Sequence, residues 1–118
     1  MSNVFDLEKL KQAIESGDAD TWRTMCADDF EQIEMDDATP PSSPRKRNKA
    51  EFFQIIERAN SNGVKFTVEK TVNGGDKIAY SVTCHIPNGR KVVSNVIAGV
   101  KDGKLTSELD VSARDPEK

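Results

Sequence analysis

A chain of 118 residues is expected to form one domain, residues 1–118, burying roughly two-thirds of its unfolded surface. Its 36% hydrophobic and 31% charged residues exclude both a membrane-spanning chain and one too polar to build a core. The formal charge of -3 argues against a duplex nucleic-acid binder, which presents a broad basic face, so neither nucleic acid nor membrane is expected as a partner.

The opening stretch MSNVFDLEKLK has no charged segment followed by an apolar one, and no apolar run nears the ~20 residues of a bilayer span. A cytoplasmic setting is the default expectation. Leu7, Leu10 and Ile14 recur at helical spacing between a capping Asp6 and Gly17, which predicts a helix over about 6–16. Asp18 caps a second helix with the stripe Ala19, Trp22, Met25 and Cys26. The run ADDFEQIEMDD then reads as a strand with Glu34 near its middle, and ATPPSSPRKRN as an exposed Pro/basic loop over 38–47. Asn48 and Glu51 resemble a capping box that opens a third helix carrying Phe52, Phe53, Ile55, Ile56 and Ala59.

Beyond Gly63 the period changes from helical to two, through Val64–Val68, Ile78–Ile86, Val92–Val100 and Leu105–Val111. The turn sequences NGGD, PNGR and KDGK join these four strands into an antiparallel meander. If Asn88-Gly89 is a two-residue loop, Tyr80 faces Ile97, Val82 faces Asn95 and Cys84 faces Val93 on the inner side. If Asp102-Gly103 is the next loop, Ile97 pairs with Glu108 and Asn95 with Asp110. A bulge would exchange the faces of that last strand.

The stretches SGDADTWRTMCADDF, NKAEFFQIIERA and VIAGVKDGKLTSELD resemble the helix corner, third helix and closing hairpin of the nuclear transport factor 2-like superfamily, which includes SnoaL-like polyketide cyclases and ketosteroid isomerases. The resemblance implies an α+β, cone-like roll of order α-α-β-α-β-β-β-β: three helices packed in a curved, mainly antiparallel sheet, with a cavity at the open end and an outer face that often forms a dimer. In ADDFEQIE, the catalytic aspartate of ketosteroid isomerases matches Glu34. Their oxyanion-hole tyrosine matches Leu10 and their protonated aspartate matches Ile97, so the usual isomerase donors are missing.

Glu34, Glu108 and Asp110 are therefore the candidate acid–base residues; the competing reading of Glu34 is a solvated charge on an edge strand. Trp22, Tyr80, Asn95 and Ile97 are candidate ligand-binding residues on the inner face, each equally at home as ordinary core. His85 is the only histidine and has no partner at ligand spacing, so neither a metal nor a cofactor is expected. Cys26 and Cys84 read as reduced thiols and not as nucleophiles, because His85 points away from Cys84 on a regular strand. Ser43-Pro44 with its basic neighbours reads as a solvated loop at the cavity mouth or a modification site. Two functions follow. One is an isomerase, cyclase or hydrolase-type enzyme acting on a small apolar organic molecule; the other is a non-catalytic dimeric ligand-binding or scaffold domain. A homodimer through the outer sheet face is expected from the alternation Val92, Ser94, Val96, Ala98, Val100, with Leu105 and Leu109 beside it.

Overall fold

The computed structural model describes residues 5–116. Residues 1–4, part of the opening stretch from which no leader was expected, lie outside the described residues. Asp6 caps α1 (Leu7–Ser16) by accepting from the Lys9 N–H at 2.9 Å, and Gly17 ends it at φ 73°. Asp18 caps the short α2 (Ala19–Thr24) in the same way through Thr21. The chain turns at Met25 and enters β1 (Cys26–Met35), so Cys26 begins a strand instead of ending a helix stripe. The box at Asn48 and Glu51 is complete, with both reciprocal hydrogen bonds at 2.9 Å, and opens α3 (Lys49–Ser61).

Arg45–Asn48 was expected to belong to the exposed loop but forms a short strand, β2, paired antiparallel with β1. Its residues RKRN carry no apolar side chain, so it holds its place by backbone pairing and charge, neither of which leaves a hydrophobic period. The meander follows as β3 (Lys65–Asn73), β4 (Lys77–His85), β5 (Lys91–Lys101) and β6 (Lys104–Arg114). Strand order across the open six-stranded sheet is β2-β1-β6-β5-β4-β3, antiparallel throughout except where β1 runs parallel to β6. The superfamily's α+β roll is thus present, with one strand more than expected.

Two one-residue offsets decide which side chains face inward. Ile86-Pro87-Asn88-Gly89 closes as a turn, with the Gly89 N–H donating to the Ile86 carbonyl and Gly89 at φ 92°, so the β4–β5 loop is three residues long and not two. Tyr80 consequently faces Val96 and Val82 faces Ser94. Asn95 and Ile97, expected inside, lie on the outer face, with Ile97 53% exposed. Ser94, Val96 and Ala98, expected outside, are buried.

The second offset is a bulge on β6 past the two-residue loop Asp102-Gly103: Leu105 pairs with Val100 and Ser107 with Gly99, which leaves Thr106 as the extra residue. A Cβ at Gly99 would stand 3.0 Å from the Ser107 hydroxyl, which accounts for glycine at this crowded place. Leu105, before the bulge, is fully buried opposite Val100, and the extra residue lets Glu108 beyond it face inward as well. Because it compensates for the longer β4–β5 loop, Glu108 and Asp110 still share the inner face with Tyr80.

The core lies between this inner face and the helices. Trp22 stands edge-on to Phe52 and Phe53 at 5.4 and 5.6 Å between ring centroids, and Phe30 tilts against Phe52. The Glu15 carboxylate accepts the Val68 N–H at 2.8 Å and ties α1 to β3. Among the described residues no helix is long and apolar enough to cross a membrane.

Candidate functional site

The sheet register builds two adjacent cross-strand rows on the inner face. One runs Arg47, Gln32, Glu108, Ala98, Ile78 and the next runs Arg45, Glu34, Asp110, Val96, Tyr80. Alternation along β1 and β6 sets Gln32 beside Glu108 and Glu34 beside Asp110. Above this polar patch lies a hollow of about 280 Å³, whose far wall is apolar and comes from α3 and the meander, chiefly Phe52, Ile55, Ile56, Phe66, Val82 and Val92. The volume is at the lower end of what small organic ligands occupy.

Glu108 is 3% exposed, and one of its oxygens accepts a long 3.4 Å hydrogen bond from the Tyr80 hydroxyl. Burial pushes its carboxyl up to about 8, and repulsion from Asp110 adds to the effect. Asp110 is also buried, but Ser112 donates to its Oδ1 at 2.9 Å and Gln32 to its Oδ2 at 3.4 Å. Burial raises Asp110 only to about 6, because those donors favour the ionised form. Ser112 is in turn 2.8 Å from the Ser94 hydroxyl, which extends the chain of polar groups toward β5.

Glu34 occupies the rim. Its side chain is 18% exposed and its Oε1 accepts from Arg45 at 2.9 Å and Arg47 at 3.0 Å. It is neither a free solvated strand charge nor an unpaired buried acid. Arg114, also at the rim, pairs with Asp36 at 2.6 Å, so the arginines around the opening already have carboxylate partners. Tyr80 is buried beside Glu108, and burial holds its phenol well above the usual range. Trp22 forms part of the cavity wall while also packing in the aromatic cluster. Among the described residues its buried indole N–H finds no hydrogen-bond partner.

Both cysteines are free thiols. Burial pushes Cys26 up to about 12 and Cys84 up to about 11, so neither supplies a thiolate near neutral pH. His85 lies on the outer face, 3.0 Å from the Thr67 hydroxyl. Among the described residues no three histidine, cysteine or acidic side chains are grouped to hold a metal ion.

Sequence reasoning brought Glu34, Glu108, Asp110, Trp22 and Tyr80 to this cavity and misplaced Asn95 and Ile97. It overlooked Gln32, Arg47, Ser94 and Ser112. Alternation from Phe30 through Gln32 to Glu34 could have found Gln32, because a strand that buries the first must point the second the same way.

The model of the SnoaL-like domain family matches residues 7–108, most of the chain and all of this arrangement as far as Glu108. The chain belongs to the SnoaL-like domain family. No curated protein matches it by sequence. Among solved structures, this SnoaL-like domain is similar to a candidate ketosteroid isomerase from Kribbella flavida at TM-score 0.72 and 17% identity, over 95% of this chain and 78% of that one. It is similar to IdmH, a candidate polyketide cyclase from Streptomyces antibioticus, at TM-score 0.69 and 21% identity, over 90% and 88%. A nuclear transport factor 2-like protein of unknown function from Mesorhizobium loti superposes at TM-score 0.75 with 15% identity, over 90% and 86%. At these identities the likeness shows the SnoaL-like domain's fold and leaves its chemistry to be argued from its own residues.

Proposed function

We propose that this SnoaL-like domain binds a small, largely apolar organic molecule in its cavity and catalyses a cofactor-independent proton transfer on it, as an isomerase, cyclase or lyase requires. The observation that carries this reading is the placement of two carboxyl groups with unequal surroundings, Glu108 and Asp110, at the polar end of an otherwise apolar hollow. Asp110, with a donor on each oxygen, takes the part of the carboxylate, and Glu108, the more deeply buried of the two, that of the carboxylic acid. Asp110 then takes a proton from carbon next to a ligand carbonyl, while Glu108 donates to the carbonyl oxygen as negative charge develops there. The resulting enol returns the proton from Asp110 to carbon and the oxygen's proton to Glu108. Glu34 assists from the rim by holding Arg45 and Arg47 in place.

The similar structures described as a candidate ketosteroid isomerase and a candidate polyketide cyclase lend support to the reaction class but not to any particular substrate. Proton NMR in deuterium oxide tests the reading with small cyclic ketones as probes. Wild-type protein is expected to accelerate exchange of the protons beside the carbonyl, and Asp110→Asn to abolish the acceleration. Wild-type exchange no faster than buffer across the ketone series, or full retention in Asp110→Asn, would overturn it.

A second reading concerns assembly. The outer face exposes Val93, Ile97, Leu109 and Val111 in neighbouring rows, too much contiguous apolar surface for an isolated sheet in water. A second copy packing sheet against sheet covers it. Of the residues expected on this face from the sequence, only Leu109 lies on it. Such a homodimer is compatible with catalysis or with a purely ligand-binding role, and a cytoplasmic setting accommodates either.

A further inference from the structure

We propose that the cavity also binds small apolar amines in their protonated form, with the ammonium group seated between Glu108 and Asp110. This shares the cavity with the proton-transfer reading but not its chemistry, so either can fail alone.

Around the opening, charge is balanced within the protein. Arg45 and Arg47 hold Glu34, and Arg114 holds Asp36 and Asp37, so each rim carboxylate has a guanidinium. The two acids further in have none. Glu108 and Asp110 are 3% and 9% exposed, yet among the described residues neither forms an ion pair with a lysine, arginine or histidine. Gln32 accounts for the gap. It stands between Arg47 and Glu108 in the cross-strand row, accepts from Arg47 at 2.8 Å and donates to both acids, so a neutral amide occupies the place of a compensating cation.

A buried carboxylate without a countercharge is costly, so each acid either keeps its proton or gains a cation from outside. The cavity is shaped to deliver one. Two residues apart on one strand face, the carboxyl groups stand about 7 Å from each other along β6, and the Tyr80 oxygen lies beside Glu108. An ammonium group, which has only donors, finds acceptors on all three. Its hydrocarbon body meets Phe52, Ile56, Phe66 and Val82 in the hollow of about 280 Å³. The other groups near the pair supply no competing cation. Glu34 and Cys26 on β1 and Tyr80 and Cys84 on β4 are acids or neutral, Lys49 donates to the Cys26 carbonyl, Lys104 is exposed, and the side chains that α3 contributes to the wall are apolar.

Calorimetric titration of the full chain with benzylamine, benzyl alcohol and benzoate at pH 7 tests this, in phosphate and in HEPES, which differ in heat of ionisation. Benzylamine is expected to bind at least about tenfold more tightly than benzyl alcohol, and benzoate most weakly, because a charge-assisted hydrogen bond outweighs a neutral one. Burial holds Glu108 at about 8, and the ammonium favours its ionised form, so amine binding at pH 7 releases about one proton and its heat differs between the buffers. Glu108→Gln is expected to weaken benzylamine about tenfold while sparing benzyl alcohol, and Asp110→Asn supplies the same readout should the first variant not fold. Equal affinity for amine and alcohol, heats that do not depend on buffer, or amine affinity unchanged in the variants would overturn the proposal. Amine binding by a wild type that exchanges no ketone protons would remove the proton-transfer reading and leave this one standing; exchange without amine binding would do the reverse.

Discussion

Ser112 donates its hydroxyl to Asp110 from two residues further along the same strand, at 2.9 Å and on the same inner face. Residues so spaced on a strand do not usually touch, and here the bond places a donor on an acid that burial would otherwise keep protonated. Replacing Ser112 by alanine removes that donor and is expected to push Asp110, already raised to about 6, further up by about one pH unit. In a pH–rate profile the acidic limb moves upward with it, while the alkaline limb set by Glu108 stays within a few tenths. A profile unchanged on the acidic side would remove Ser112 from the site's electrostatics.

Stability should depend on pH through the same two acids. Both have folded-state values above their ordinary ones, so the native protein holds their protons more tightly than the unfolded chain. Their contribution is complete below about 4 and is lost as pH rises through about 6 for Asp110 and about 8 for Glu108. Glu108→Gln keeps the shape and removes the larger dependence. Urea denaturation is expected to find the variant less stable than, or equal to, the wild type at pH 5 and more stable at pH 9, with a difference between the two pH values on the order of several kcal/mol. Parallel curves for the two proteins over that range would contradict the upward shift that burial gives Glu108.

The helices were legible because their caps are local: Asp6, Asp18 and the Asn48–Glu51 box each act within one turn. Strand register is not local in that sense. Asn88-Gly89 has the composition of a two-residue loop, but Pro87 joins it to make three, and nothing within the turn alone distinguishes the cases. The bulge that inserts Thr106 opposite the Gly99–Val100 step is a matter of how β6 pairs with another strand, and the turn KDGK carries no trace of it. Glu108 and Asp110 were assigned to the right face because these two offsets compensate; Asn95 and Ile97, which lie between the offsets, were assigned to the wrong one. β2 was missed for a third reason. Its partners are carboxylates and backbone, and hydrophobic patterning is blind to both.

The rim ion pairs should be unequal. Arg47 and Glu34 are 16% and 18% exposed, whereas Arg45 is 46% exposed and reaches the same carboxylate from solvent. Removing a partner from a shielded pair leaves a poorly solvated charge, and Arg47→Met also strips the Gln32 oxygen of its donor, so about 2–3 kcal/mol should be lost. Arg45→Met should cost no more than about 1 kcal/mol, since a screened surface pair contributes little. Thermal or denaturant unfolding of both variants in low and high salt checks the ranking. Equal losses would mean that Arg47 owes its place to packing of its stem and not to its charge.

Ile97 provides the sharpest test of assembly. It is 53% exposed and pairs with Leu109, next to Asn95 and Val111, so it lies within the outer apolar patch and away from the cavity. A glutamate there stays in water in the monomer but would be buried without a partner in a sheet-to-sheet dimer, and the mirror copy would place a second like charge close by. Sedimentation at micromolar concentration is expected to find wild-type dimer and Ile97→Glu monomer with an unchanged circular dichroism spectrum. The ketone exchange assay then separates assembly from catalysis: a folded monomer that still accelerates exchange has a cavity complete within one chain. Wild-type protein that sediments as a monomer would instead leave the patch free for a different partner and would rule out the sheet-packed homodimer.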